Sequence, residues 1–410
     1  MRKIQMLAVL ACLALAGNGD PAKAQEKEIV IGVNLSLTGA ASSISLPERD
    51  MLDFAPDRIG GVPLRIIVLD DKSDQWTAKA NARSLAYDSH ADVIVGGSST
   101  PTTRGVALIA GEAEIPQISL SPMLINEVRR NVIVGGEARM PQISPSPTLS
   151  NEARGKWSVV VAQDTPPMSN PIYDHMIAHK VKRVAFFGYD DPYGDLWYND
   201  LEAVEEDGKL GLTIVQDQRF ERGAQSVADQ AQRIVAAKPD AVLVAASGRP
   251  AAVPQIALRN AGYEGPIYQT QGAATPLFLH FAGKAAEGAI ITSPALMLAE
   301  KLPDSSPIKK AAMEFNFEYE TKFGRGSRNV YAARMFDALE VLKRVLPAAL
   351  QRAKPGTPEF RDAIRIAFLN EHNIAGAATL YNFTADDRYG YDERSTILLT
   401  VQDGKFVLTQ

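Results

Sequence analysis

The chain of 410 residues contains one cysteine, Cys12, and five histidines. Cys12 falls inside the leader described below, so the exported chain is expected to have no disulfide, zinc thiolate or cysteine nucleophile. Apolar runs long enough to cross a bilayer are also lacking. Positive charge is in deficit: 43 Lys and Arg stand against 48 Asp and Glu, and no basic stripe gathers. Nucleic acid and anionic membranes are therefore not expected partners.

What is present at the start is an export signal. Arg2 and Lys3 precede Ile4 to Ala16, which is apolar apart from Gln5, and Ala22-Lys23-Ala24 forms a small-x-small cleavage pattern. Residues 1–24 read as a cleaved signal peptide. Val9-Leu10-Ala11-Cys12 only faintly suggests a lipoprotein site, because the apolar run before it is very short. Cleavage removes Arg2, Lys3, Lys23 and Asp20, so the net charge moves from −5 to −7. The remainder exceeds one ordinary core and points to two lobes, large enough to fold without disulfides.

Strands and helices then alternate. Glu28–Val33, Leu64–Leu69 and Val93–Val95 read as strands, with helices over Pro47–Asp57 and Gln75–Ser89. The pattern resumes with strands at Arg183–Gly188, Leu212–Phe220 and Ala241–Ala245. Helices are expected at Leu196–Asp207, Ala224–Ala237 and Ala251–Ala261. This predicts an α/β protein of parallel sheets covered on both faces, with ligands beyond the carboxyl ends of the strands. Near the end, Thr379–Phe383 and Ser395–Val401 read as strands, and Asp403-Gly404 before Lys405–Leu408 signals a hairpin.

The most informative stretch is Val93-Ile94-Val95-Gly96-Gly97-Ser98-Ser99-Thr100-Pro101. A strand runs into two glycines, three hydroxyls and a proline suited to open a helix over Thr102 to Glu114, with Thr100 as its cap. Free N–H groups, hydroxyls and a positive helix end meet there, which suits a carboxylate or phosphate.

Five marks in order resemble one family. They are Ser36-Leu37-Thr38-Gly39, Leu69-Asp70-Asp71-Lys72-Ser73-Asp74, the Ser98–Pro101 loop, Gly188-Tyr189-Asp190-Asp191-Pro192-Tyr193-Gly194 and Lys238-Pro239-Asp240-Ala241-Val242. The chain is similar to the type I periplasmic solute-binding proteins of ABC importers, the leucine/isoleucine/valine-binding family. Leu46-Pro47-Glu48, Arg58-Ile59-Gly60-Gly61, Pro355–Phe360 and Tyr381–Asp387 resemble its branch that binds aromatic acids. The resemblance implies two lobes joined by three hinge crossovers. Residues 27–162 with 296–375 would form the first, and 163–295 with 376–410 the second. It also implies a periplasmic, monomeric protein that captures a small carboxylate and docks on an inner-membrane permease. No cofactor, metal or catalysis is implied.

Site residues carry over by position. Ser43 and Ile44 fall in the loop against the ligand, Ile44 where amino-acid binders often place an aromatic. Ser98, Ser99 and Thr100 would hold the carboxylate. Tyr193 would close from the second lobe, with Ser247, Gly248 and Arg249 along the far wall. Gln271 stands where amino-acid binders carry a glutamate for the ammonium group. An ammonium buried without a countercharge costs several kcal/mol, so Gln271 disfavours an α-amino acid unless Asp190 or Asp191 supplies the charge.

One feature lies outside the family pattern. Residues 111–135 and 136–160 form a direct repeat at an offset of 25. Either Ser121-Pro122-Met123 or Ser146-Pro147-Thr148 can supply the second carboxylate-side loop. The hydroxyl of Thr148 and the direct run of the second copy into Trp157–Ala162 favour Ser146 and Thr148. On this reading the second copy is in the sheet and the first is a surface excursion or an extra strand. Other chemistry is weaker. His175 and His179 have zinc-compatible spacing but no third ligand, and read as exposed helix residues. Arg183, Arg249 and Arg334 can each meet an anion, and Arg249 is preferred for its loop. The alternatives are a branched-chain amino-acid binder, a secreted hydrolase using Ser98 or Ser99 with no identified base, and a ligand-sensing receptor subunit.

Overall fold

The structure, a computed structural model, describes residues 27–123, 132–134, 137–139 and 155–409. The leader, Ser146 and Thr148 lie outside the described residues. The first sheet contains Ile29–Leu35 (β1), Arg58–Ile59 (β2), Val62–Asp70 (β3), Val93–Gly96 (β4) and Gln117–Ser119 (β5). A short hairpin follows, Val132–Val134 (β6) and Glu137–Arg139 (β7), and then Ser158–Val160 (β8) completes the sheet in the order β2-β3-β1-β4-β5-β8. All seven residues of β1 are buried, as a central parallel strand requires. Its alternate side chains serve two cores. Val30 and Ile94 pack under helices Gln75–Tyr87 and Thr100–Glu112, while Ile31, Val33, Val93 and Val95 join the main core on the other face.

The second sheet contains Arg183–Tyr189 (β9), Thr213–Phe220 (β10), Ala241–Ala245 (β11), Ile267–Gln269 (β12) and Ile290–Pro294 (β13). After the small ladder of Ile374–Ala375 (β14) and Leu380–Tyr381 (β15), the strands Thr396–Gln402 (β16) and Lys405–Leu408 (β17) extend it. The order is β10-β9-β11-β12-β13-β16-β17, with β16 and β17 antiparallel. Asp403 and Gly404 have φ of 51° and 68°, the two positive values that a tight hairpin turn demands.

Several helix starts differ from expectation: helix Pro192–Asp207 begins four residues before Leu196 and helix Ala228–Ala236 four residues after Ala224, and two others have a clear local cause. The first helix spans Ser42–Met51, so Pro47 lies inside it rather than at its start. Pro47 has no N–H to offer the carbonyl of Ser43, one turn back. The helix after the hydroxyl loop spans Thr100–Glu112 and is capped by Ser99, not Thr100. Thr102 completes a reciprocal pair with Ser99: the Thr102 N–H reaches Ser99 Oγ at 3.5 Å and the Ser99 N–H reaches Thr102 Oγ1 at 3.2 Å.

The repeat is used differently from the sequence reading. The strand between β4 and β8 is β5, from the first copy. The sheet therefore takes the head of the first copy and the tail of the second. Side chains give the reason. Ile115, Leu120 and Met123 are all buried, Met123 against Ala107, Val160, Ala162 and Tyr389. The equivalent residues of the second copy are Met140, Pro145 and Thr148, two of which suit an apolar strand end poorly. The hydroxyl of Tyr389 fastens the segment further, accepting from the Met123 N–H at 2.9 Å and donating to its carbonyl at 2.8 Å.

The passages between the sheets are tied to one side chain. Asp337, in helix Val330–Leu350, accepts hydrogen bonds from the N–H groups of Ala377 and Ala378 at 2.5 and 3.2 Å and from the Tyr381 hydroxyl at 2.7 Å. Tyr381 Oη also lies 2.8 Å from the carbonyl of Val161, just beyond β8. Burial pushes the Asp337 carboxyl up to about 7, against the pull of Tyr381 and the two amides.

This arrangement predicts that residues 124–148 are dispensable. Their removal joins Met123 to Leu149 in the register of a single unit. It shortens the link between β5 and β8 from 38 residues to 13, which lowers its closure cost by about 1 kcal/mol. The deleted variant is expected to give a cooperative melt at or above that of the full chain. Failure to fold would show that the surplus residues support the sheet.

Candidate functional site between the lobes

Strand order dictates where the site lies. In the first sheet β1 is followed by β3 on one side and β4 on the other, and in the second β9 is followed by β10 on one side and β11 on the other. At such reversals, adjacent loops diverge and leave a crevice at the carboxyl ends of the strands. The loops after β1 and β4 open one crevice. Those after β9 and β11 open the other, and the two face each other.

The first wall is built from hydroxyls. Gly96, with φ of 131°, passes so near β1 that an added Cβ would lie 2.1 Å from the Asn34 carbonyl oxygen. The loop is held by the side-chain amide of Gln117, which donates to the Gly96 carbonyl at 2.7 Å, and by Thr103 Oγ1, which donates to that of Gly97 at 3.1 Å. Ser45 donates to Ser98 Oγ, while the Ser36 N–H reaches Ser45 at 2.9 Å and Ser98 at 3.4 Å. Ser121, of the first repeat copy, stands 3.3 Å from Thr100. Helix Val330–Leu350 supplies Tyr331 and Arg334 one turn apart.

The second wall centres on Arg222. Its Nε donates to Asp191 Oδ2 at 2.5 Å, its Nη1 donates to Ser247 Oγ at 3.1 Å, and its guanidinium lies 4.2 Å from the Tyr189 ring centroid. Burial opposes the Arg222 charge, but Asp191 with Tyr189 and Tyr193 together outweigh it and hold the pKa above its ordinary value. Asp191 also caps helix Pro192–Asp207 through the N–H groups of Tyr193 and Gly194. Tyr193 donates to Thr270 Oγ1 at 2.8 Å, and burial pushes its phenol up to about 12.

These walls enclose a void of about 10 Å³ lined by Ile44, Ser98, Ser99, Tyr193 and Ser247 from the sequence expectations. Ser121, Arg222, Tyr331 and Arg334 complete the lining. A space of one water means that any larger molecule enters only when the walls part. Thr100 sits behind Ser121. Ser43 and Arg249 meet at the rim, where the Arg249 N–H donates to Ser43 Oγ at 3.2 Å. The exposed Arg249 side chain stacks on Phe281 at 4.4 Å, so it is Arg334, not Arg249, that reaches the pocket. Arg183 donates to the carbonyls of Ala237 and Lys238. Gln271 is buried, and its Oε1 has no partner among the described residues. Arg222 was missed because it follows an edge strand in a polar stretch without a motif. Arg334 is one of the three candidate arginines of the sequence, whereas Tyr331, on the same helix far along the chain, carries no sequence signal of its own.

The charges of the two arginines are met differently. Arg334 is buried, donates to the Leu120 carbonyl and to Gln163 Oε1, both at 3.2 Å, and leaves Nε without a partner. No carboxylate lies within ion-pair distance of it among the described residues. Neither Ser98 nor Ser99 is hydrogen-bonded to a histidine among the described residues, and the one acidic side chain that Ser98 faces is the buried Glu48. His175 is half-buried, bonds Tyr268 Oη at 2.9 Å and stacks on His179 at 4.0 Å, so it is not simply a surface residue. No cluster of metal-ligating side chains occurs among the described residues. A larger groove of about 430 Å³ on the second lobe, between helices Ala228–Ala236 and Ala252–Asn260, has no charged side chain to receive an ion.

The rim contact yields a test of closure. Gly248 has φ of 63°, and an added Cβ would lie 2.5 Å from Ser43 Oγ and 2.8 Å from Ile44 Cγ2. Gly248→Val is expected to cost about 1–3 kcal/mol in backbone strain and to hold the lobes apart. Small-angle scattering should show a larger radius of gyration than the parent, and an unchanged radius would contradict the role of this contact.

Comparison with known proteins agrees with this architecture. A family model for periplasmic binding proteins matches residues 28–393. An extracellular ligand-binding receptor from Rhodopseudomonas palustris HaA2 is 46% identical, with a TM-score of 0.85 over 94% of this chain and 100% of that one. A leucine-binding protein from Thermotoga maritima shares the fold at 20% identity, with a TM-score of 0.73 over 93% of this chain and 98% of that one. So does an ABC transporter solute-binding protein from R. palustris, in complex with benzoate, at 15% identity and a TM-score of 0.72 over 93% and 95% of the two chains. No curated protein matches. Two facing sheets of mostly parallel strands, paired crevices and a match across nearly the whole described chain lead to one conclusion: the protein belongs to the periplasmic binding protein family, with the two-lobed type I fold.

Proposed function

We propose that this chain is exported by its leader and serves as the solute-capturing subunit of an ABC importer, taking an aromatic monocarboxylate between its lobes. The observation that carries the reading is Arg334, a buried guanidinium with one N–H unpaired and no acidic partner among the described residues. A buried cation in that state is stabilised by an anionic ligand. The hydroxyls of Ser98, Ser99 and Ser121 stand in the same lining and supply neutral donors for the second carboxylate oxygen. Ile44, Tyr193 and Tyr331 offer apolar and ring surface for the rest of the molecule. Capture proceeds by lobe closure, and the closed form is what the permease receives.

An α-amino acid is the competing ligand, and it needs an anion for its ammonium. Gln271 is uncharged. Asp191 is already paired with Arg222, and Asp190 is exposed. Calorimetry with benzoate, cinnamate and leucine decides between the two classes. An aromatic acid is expected to bind at micromolar concentration or tighter, about −8 kcal/mol, and leucine far more weakly. Arg334→Met is expected to cost about 2–5 kcal/mol of that affinity in a protein that still melts cooperatively. Gln271→Glu should weaken the aromatic acid and favour leucine. Tight binding of leucine by the parent would overturn the aromatic-acid reading.

A further inference from the structure

Behind Ser98 lies a second carboxyl group that the site does not otherwise explain. Glu48, in helix Ser42–Met51, is fully buried, and neither of its oxygens has a well-formed hydrogen bond. Three elements place polar groups towards it. The hydroxyl loop brings Ser98, helix Val330–Leu350 brings Arg334, and the turn after β3 brings Asp71. Burial pushes the Glu48 carboxyl up to about 8, with Ser98 and Arg334 pulling down and Asp71 pushing further up. Its neighbour Asp71 is itself raised to about 6 by burial, against hydrogen bonds from Ser36, Ser73 and Asn34.

Ser98 has one hydroxyl hydrogen to give. Its oxygen already accepts from Ser45 and from the Ser36 N–H, so that hydrogen is directed either back to Glu48 or forward into the pocket. We propose that Glu48 makes ligand capture proton-coupled: uncharged Glu48 leaves the Ser98 hydrogen to the ligand carboxylate, and ionised Glu48 takes it away. Charge acts in the same direction. The Arg222–Asp191 pair is neutral and Asp71 stands outside the pocket lining, so with Glu48 protonated the lining itself carries the single positive charge of Arg334 and calls for one negative charge. With Glu48 ionised, Arg334 is balanced from within, and an incoming carboxylate meets a second anion. Glu48 is thus a positioning residue, and the site is built for a monoanion whose binding takes up a proton at Glu48 wherever the pH has ionised that carboxyl. This inference rests on the reading of the ligand as a carboxylate.

Cinnamate is the probe, because its carboxyl titrates near pH ~4 and stays ionised throughout the range used. The dissociation constant of the parent is expected to be flat at and below about pH 7 and to rise towards tenfold per pH unit above about pH 8.5. Glu48→Gln is expected to lose that slope. Asp337, which titrates near the same range but bonds Tyr381 and backbone amides instead of Ser98, remains in this variant and so serves as its control. A second measurement needs no variant: calorimetry of the parent at pH 8.5 in phosphate and in Tris should differ by the heat of about half to one proton taken from the buffer. An affinity independent of pH from 6 to 9.5, with no buffer dependence, would overturn the coupling and leave the carboxylate reading intact. No binding of cinnamate or benzoate at any pH would instead remove the carboxylate reading itself.

Discussion

The buried carboxyl of Asp337 is the interaction on which the geometry between the lobes depends. It gathers the amides of Ala377 and Ala378 and, through Tyr381, the carbonyl of Val161. Two separate passages of the chain between the sheets are thereby fixed to one side chain. The helix that carries Asp337 also carries Tyr331 and Arg334, each three residues apart. That spacing keeps all three close to one face. The same face therefore delivers a ring and a guanidinium to the pocket and a carboxyl to the crossovers. The distance between the cationic centre and the hinge is set by helical geometry, not by loop conformation.

Much of the scaffold was legible in the sequence because its signals are redundant. β1 and β4 are apolar runs bounded by turn residues, and central parallel strands leave such runs by being buried on both faces. The hydroxyl loop was legible because two glycines, three hydroxyls and a proline in one short segment have few other uses. The errors have equally local causes. Pro47 suits a helix start, yet this helix accommodates it inside. Thr100 fits a cap by its position before Pro101, while the reciprocal bonds of Ser99 with Thr102 decide the boundary. In the repeat, the Thr148 hydroxyl and the direct run into Trp157–Ala162 point to the second copy, but the combined burial of Ile115, Leu120 and Met123 places the first copy beside β4.

The site was less legible because its charges come from distant segments. Arg222 and Arg334 are separated by more than a hundred residues and meet only when the lobes face each other. Their environments differ in a way that composition cannot reveal. Arg222 has its own anion and a tyrosine ring beneath it, so it acts as an oriented donor towards Ser247. Arg334 has neutral acceptors and no anion of its own among the described residues. Folds of this kind accommodate different solutes by such changes of partner rather than by changes of architecture.

The mixed use of the duplicated unit has a practical consequence. Because β5 comes from one copy and β8 from the other, the sheet already accepts a surplus of chain between two adjacent strands that border the hinge. That junction is a natural port for a fluorescent or enzymatic reporter. A guest domain placed there would sit next to the passages between the two sheets, and if capture works by the proposed closure its optical signal would follow occupancy of the cleft without any label in the cleft itself.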